Sequence, residues 1–132
     1  MQSANVITSI SVLIIEDDEL LAEFVQDMLE DEGFIVHVAL DGAAGIDAAV
    51  LRRPTVILLD VSMPKLNGFQ VLEWLKTDLR TRHIPVIMLT SHSQLREIEG
   101  AIAAGAKGYL VKPVSGDALI KRIMTVLKLV KT

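Results

Sequence analysis

No cysteine occurs among the 132 residues, which excludes disulfides, thiolate metal ligands and cysteine nucleophiles together. Residues 1–11 lack the basic start and the apolar stretch of a secretory leader. No apolar run approaches the length needed to cross a bilayer. An excess of basic residues is also missing: the formal charge is −4. That argues against direct nucleic-acid binding, which needs clustered Lys and Arg. Repeats, low-complexity segments and linkers are absent as well. A cytoplasmic protein with a protein partner is therefore expected.

What is present is a chain 51% apolar and 23% charged, the composition of one globular domain with a real core. Apolar runs alternate with amphipathic stretches. Val12-Leu13-Ile14-Ile15 reads as a buried strand closed by acids. From Asp18 to Glu32, Leu21, Phe24, Val25, Met28 and Leu29 recur at helical spacing, and Gly33 stands where a helix-ending glycine belongs. Phe34 to Val38 reads as a second strand, followed by a weaker helix around Ala43 to Leu51 that Arg52-Arg53-Pro54 ends.

Val56-Ile57-Leu58-Leu59 is a third strand stopping at Asp60. Gly68 opens a helix to about Asp78, in which Trp74 shares its spacing with Val71 and Leu75 and is expected to pack at or near the core. Val86 to Leu89 gives a fourth strand ending at Thr90, and a helix is predicted over Gln94 to Ala104. A short strand, Tyr109 to Val111, precedes a last helix begun by Ser115, with Leu119, Ile120, Ile123, Val126, Leu127 and Val130 on one face.

Five strands alternating with five helices predict an α/β fold of (βα)5 type, a parallel sheet covered on both faces in a three-layer sandwich. Strands one, three and four are nearly all Val, Ile, Leu and Met, as doubly buried strands are. Strand two carries His37 and strand five is brief, which suits edges. Short right-handed connections then favour the order 2-1-3-4-5. The last helix ends almost at the final residue, so no output domain is expected in this chain.

Ligands of such sheets bind beyond the carboxyl ends of the strands, where the strand order reverses. Strand one ends in Glu16, Asp17 and Asp18, strand three in Asp60, strand four in Thr90, and strand five in Lys112-Pro113. Carboxylates crowded in a partly dehydrated crevice should raise one another's pKa. A hard divalent cation relieves that repulsion, and all-oxygen ligands suit Mg²⁺. Lys112 offers a compact positive charge and Thr90 a hydroxyl. Together these parts suit phosphoryl transfer, with Asp60 as the nucleophile.

Ile14-Ile15-Glu16-Asp17-Asp18, Leu58-Leu59-Asp60-Val61-Ser62-Met63-Pro64 with Asn67-Gly68, Met88-Leu89-Thr90-Ser91 and Tyr109-Leu110-Val111-Lys112-Pro113 closely resemble the receiver domains of two-component response regulators, which have a flavodoxin-like fold. The resemblance spans roughly Ser11 to Val130, giving a receiver over 11–131 after an extension of residues 1–10. It implies that Asp60 accepts a phosphoryl group from a histidine kinase or histidine phosphotransfer protein. It also implies that Asp17 and Asp60 ligate Mg²⁺ (or Mn²⁺) directly, that Glu16 reaches the metal through water, and that the Ser62 backbone carbonyl is a further ligand. Thr90 and Tyr109 resemble a switch pair that remodels the face of helix four, strand five and helix five for a downstream protein target. The resemblance further implies a monomer or a phosphorylation-linked dimer, a cis bond before Pro113, and no turnover of an external substrate. Glu16, Ser91 and Val114 depart from the commoner Asp, Ala and Phe. Ser62 and His92 fall where the family tunes how fast the phosphoryl group is lost.

Plainer roles compete. Asp18 is expected to cap the first helix, and Tyr109 alone would be edge-strand packing. Lys112 alone would be a solvated lysine, and His37, His83 and His92 show no metal-ligand spacing and read as surface residues. Among whole functions, a degenerate receiver that binds proteins without phosphorylation is opposed by the intact set Asp17, Asp60, Thr90 and Lys112. A nucleotide- or flavin-binding protein needs a glycine-rich loop where this chain has acids. A metal-dependent phosphatase lacks both a second general acid after Asp60 and a cap insertion.

Overall fold

The computed structural model describes residues 7–129, the His92 side chain excepted. The expectations for residues 1–6, Val130 and Lys131 lie outside the described residues. In chain order the elements are β1 (Ser11–Ile15), α1 (Glu19–Asp31), β2 (Ile35–Ala39), α2 (Gly42–Arg52), β3 (Val56–Asp60), α3 (Gly68–Thr77), β4 (Val86–Thr90), a 3₁₀ turn (His92–Glu97), α4 (Ile98–Ala103), β5 (Gly108–Val111) and α5 (Gly116–Val126). All strand pairs are parallel and the order is β2-β1-β3-β4-β5. The predicted edges are the observed edges.

Burial explains the composition. β3 and β4 are buried at every residue, because helices cover both sheet faces. On one side Leu13, Ile15, Leu59 and Met88 pack with Val71 and Leu75 of α3. On the other, Ile14, Leu58 and Leu89 pack with Val25 and Leu29 of α1 and with Leu119 and Ile123 of α5. Adjacent residues of one strand thus feed opposite layers. Trp74 is half-buried against the first layer.

Helix boundaries follow their caps. Asp18, Asp41, Asn67 and Ser115 each accept a backbone N–H from the first turn of the helix that follows. Gly33 has φ +104°, the left-handed conformation that ends α1 without strain on a side chain.

Four expectations need correction. The single helix over Gln94 to Ala104 is a 3₁₀ turn followed by the shorter α4. Both the N–H and the hydroxyl of Ser91 are tied to Gln94 Oε1, at 3.1 and 3.0 Å, which tightens the opening turn. Phe24 belongs to the outer side of α1, 53% exposed, because its direction diverges from the buried line of Ala22, Val25 and Leu29. β2 runs from Ile35 to Ala39, one residue later than expected, and Phe34 is core before the strand begins. His37 is half-buried in β2 rather than on the surface, whereas His83 is exposed.

Candidate functional site

Four strand ends meet at one rim. The parallel register sets Ile15 beside Leu59, Asp60 beside Leu89, and Thr90 beside Val111. Residues that follow β1 and β5 therefore flank Asp60 from either side. The backbone N–H of Lys112 donates to the Thr90 carbonyl at 2.7 Å, which fixes where the lysine leaves the sheet. The Lys112–Pro113 bond is cis, as the resemblance implied.

Lys112 Nζ lies 2.8 Å from Asp60 Oδ1 and 3.0 Å from Glu16 Oε1. The other Glu16 oxygen, Oε2, accepts the Asp18 backbone N–H at 3.1 Å. Asp18 also caps α1 through the Leu21 N–H at 3.1 Å, so one short segment orients two carboxylates. Carboxylate oxygens of Glu16, Asp17 and Asp60 all fall within 4.8 Å of one another. Glu16 and Asp60 are 1% and 2% exposed, whereas Asp17 faces solvent.

Burial dominates the electrostatics. It pushes the Glu16 carboxyl up to about 7, against the Asp18 N–H and Lys112, with the Asp60 charge adding to the rise. Asp60 is likewise raised, first by burial, while Lys112 and the Ser62 backbone pull it down. The expected cause, mutual repulsion of carboxylates, is thus secondary to desolvation. For Lys112 burial acts downward, but Asp60 and Glu16 outweigh it and the ammonium is held more firmly than usual.

The donor set fits a hard cation. It is all oxygen, and Glu16 Oε1 is buried without a well-directed hydrogen bond, although Lys112 stands near enough for an ion pair. A carboxylate oxygen in that state has coordinating capacity left over.

The remaining candidates lie around this centre. Thr90 is fully buried, and its hydroxyl donates to the Ser91 carbonyl at 3.2 Å. Tyr109 points outward, 38% exposed, against Leu95, Ile98, Glu99 and Ile102. Ser62 is exposed on the loop after Asp60.

One residue carries more than its motif suggested. A Cβ on Gly68 would overlap the Asp60 carbonyl oxygen and come within 2.8 Å of Val61 Cα. Its N–H donates to the Val61 carbonyl at 2.9 Å, so the start of α3 presses directly on the loop that begins at Asp60. The signal was the Asn67-Gly68 pair, legible as a helix start but silent about what it packs against.

The family model for the response regulator receiver domain matches residues 12–124. The chain belongs to that family. A curated relative, the polar-differentiation response regulator DivK of Brucella anthropi, is 35% identical over 117 residues, covering 89% of this chain and 95% of its own. The master transcriptional regulator RpaA of Synechocystis is 38% identical over 117 residues, of which this chain spans only 48% of the length. Among solved structures, the receiver domain of a Pseudomonas aeruginosa sensor histidine kinase, with magnesium coordinated in its active-site cleft, has TM-score 0.81 and 25% identity. That likeness covers 89% of this chain and 97% of the other.

This receiver is therefore a two-component signalling module, of a family that works with histidine kinases or phosphotransfer proteins and with downstream targets. Receivers bind Mg²⁺ in an acidic site, and the cluster of Glu16, Asp17 and Asp60 stands where such a site belongs. Among the described residues no helix is long and apolar enough to cross a membrane.

Proposed function

We propose that residues 11–131 form a phospho-accepting receiver, preceded by an extension of residues 1–10, in which Asp60 takes a phosphoryl group from a phosphohistidine. The observation that carries this reading is the position of Lys112 Nζ, 2.8 Å from Asp60 and 3.0 Å from Glu16, beside an all-oxygen acidic cluster. Asp17, Asp60 and the Ser62 carbonyl would hold Mg²⁺ or Mn²⁺, with Glu16 reaching it through water. When bound, that cation neutralises charge that develops on the phosphoryl oxygens. The relative with magnesium in its cleft supports the assignment.

In the transfer, an Asp60 carboxylate oxygen forms the new bond to phosphorus as the donor's P–N bond breaks. The electron pair leaves with the imidazole nitrogen. Lys112 shifts its ammonium from Asp60 to a phosphoryl oxygen, a small movement for a side chain already in contact. Thr90 exchanges its bond to the Ser91 carbonyl for another phosphoryl oxygen. The space it vacates admits the Tyr109 ring, which remodels the face of α4, β5 and α5 toward a protein target. Loss of the phosphoryl group to water resets Asp60, so the chain transfers and releases phosphate without turning over an external substrate.

Intact-mass measurement after incubation with acetyl phosphate and Mg²⁺ tests this. One phosphoryl group should add to the wild type and none to Asp60→Asn. An unmodified wild type, with the metal shown to be bound, would leave a receiver that signals by contact alone.

A further inference from the structure

Ser91, one of the departures from the commoner family pattern, has a partner that an alanine could not engage in the same way. Gln94 Oε1 accepts its hydroxyl at 3.0 Å and its backbone N–H at 3.1 Å. That leaves the lone pairs of the Ser91 oxygen for the Ser93 hydroxyl, 2.9 Å away. The Gln94 backbone N–H donates in return to the Ser91 carbonyl, also at 3.1 Å. Ser91 is thus held by Gln94 at its amide, its side chain and its carbonyl.

These bonds fix the resting place of Thr90. The same Ser91 carbonyl accepts the Thr90 hydroxyl at 3.2 Å. The peptide group between Thr90 and Ser91 is clamped from both sides: its carbonyl accepts the Lys112 N–H at 2.7 Å, and its N–H donates to Gln94. Thr90 is fully buried, so a hydroxyl that leaves the Ser91 carbonyl must find another acceptor or bear the cost of having none.

Gln94 also stands between this site and the outer face. It lies half-buried in the 3₁₀ turn His92–Glu97. The next residue, Leu95, lines a groove with Ile98 and Ile102 of α4 and with Tyr109. Six residues are a long run for 3₁₀ geometry, whose hydrogen bonds are poorer than those of an α-helix. Such a turn needs support from side chains, and the paired bonds of Ser91 and Gln94 supply it at the opening. One side chain therefore supports both the turn that carries Leu95 and the carbonyl that holds Thr90.

We propose that Gln94 is a positioning residue for the phosphoryl switch: its side-chain oxygen holds Ser91, and through Ser91 the Thr90 hydroxyl, in the resting arrangement. It thereby sets how readily Tyr109 turns inward. The inference rests on the phospho-accepting reading above, and Gln94 acts through Ser91 rather than on the reacting atoms. Bonds made in the resting arrangement alone lower the share of molecules already turned. Removing them raises that share. Because the phosphoryl group and the turned arrangement favour each other, the same removal favours the phosphorylated form.

Fluorotyrosine at Tyr109, with intact-mass kinetics in acetyl phosphate and Mg²⁺, tests this on the full chain. Gln94→Met keeps the length of the side chain and removes the acceptor, whereas Gln94→Glu keeps the acceptor. Before any phosphodonor is added, the ¹⁹F resonance of Gln94→Met should be displaced from the wild type toward the wild-type adduct. That of Gln94→Glu should coincide with the wild type, and Ser91→Ala, which retains the N–H bond, should fall between. With phosphodonor, Gln94→Met should gain its adduct about tenfold faster, the effect of two hydrogen bonds at the weak end of their range. A merely structural role would slow that step. A Gln94→Met resonance at the wild-type position overturns the proposal, as does displacement that Gln94→Glu shares. Unchanged or slower phosphorylation of Gln94→Met, beside a wild type that takes the phosphoryl group, does the same. A wild type that takes none removes the reading of Asp60, and the resting resonances of Gln94→Met and Gln94→Glu still decide the role of Gln94.

Discussion

Lys112 and Asp60 stand 52 residues apart in sequence and 2.8 Å apart in space. The pair holds because parallel register sets Thr90 beside Val111 and Asp60 beside Leu89, so consecutive strand ends converge. Lys112 also serves Glu16, at 3.0 Å. One ammonium therefore offsets two buried carboxylates, and neither acid is fully compensated. That deficit connects the fold to the chemistry: a group with two anionic neighbours and one cation is prepared to take another cation.

Removing the ammonium should expose the deficit. Lys112→Met keeps the apolar stem but leaves Glu16 and Asp60 without a counter-charge. Lys112 is 28% exposed, so the loss should fall below that of a fully buried pair, on the order of 1–3 kcal/mol near neutral pH without metal. Mg²⁺ should raise the melting temperature of this variant more than that of the wild type, since a cation restores the balance. Equal stability of the two proteins in chelator would contradict the prediction.

The pH dependence has a definite sign. Glu16 is held at about 7 in the folded chain, above its ordinary 4.5, so the folded state binds its proton more tightly. The resulting stability is fully present below pH 4.5 and is lost as pH rises to about 7. Asp60 shifts in the same direction and reinforces the trend. Metal-free protein should therefore lose on the order of 2–3 kcal/mol from Glu16 across that interval. Glu16→Gln should flatten the profile, as read by urea unfolding at several pH values in chelator. An unchanged slope in that variant would assign the effect to other groups.

Two glycines should answer oppositely to alanine. At Gly68 the added methyl meets the Asp60 carbonyl and the Val61 backbone, which cannot give way cheaply, so about 1–3 kcal/mol should be lost and phosphorylation slowed. Gly100 lies within α4 with nothing within 4 Å of the new methyl. There the smaller entropy of the unfolded chain should raise stability by about 0.5–1 kcal/mol. Chemical unfolding of both variants makes the comparison.

The switch can be followed through one nucleus. Tyr109 is the single tyrosine of the chain, so fluorotyrosine labelling yields one ¹⁹F resonance. That resonance should shift on addition of acetyl phosphate and Mg²⁺ as the ring leaves its 38% exposed position. In Thr90→Ala the phosphoryl adduct should still form, yet the resonance should move less, because no hydroxyl is drawn toward the phosphoryl group. A full shift in Thr90→Ala would separate Tyr109 from Thr90.

Much of this architecture was legible in the residues. Val56 to Leu59 and Val86 to Leu89 are uniformly apolar because both faces of their strands are covered. Asp18, Ser115 and Gly33 announced helix ends through local hydrogen bonding and backbone conformation. Less legible was Phe24, which fits a helical pattern yet lies outside the core, since periodicity fixes a direction but not what stands in that direction. The Gly68 contact with the Asp60 carbonyl was equally hidden, because packing between elements leaves no local trace.

The amino-acid order by itself determined which residues end each strand, and so which acids, hydroxyl and lysine share a rim. Those choices are local: alternation, caps and turns act over a few residues. Only the tertiary structure decided that Lys112 bridges Asp60 and Glu16, and that burial more than mutual repulsion raises both acids. Desolvation and charge complementarity depend on everything packed around a group, and that surrounding is assembled from segments far apart along the chain.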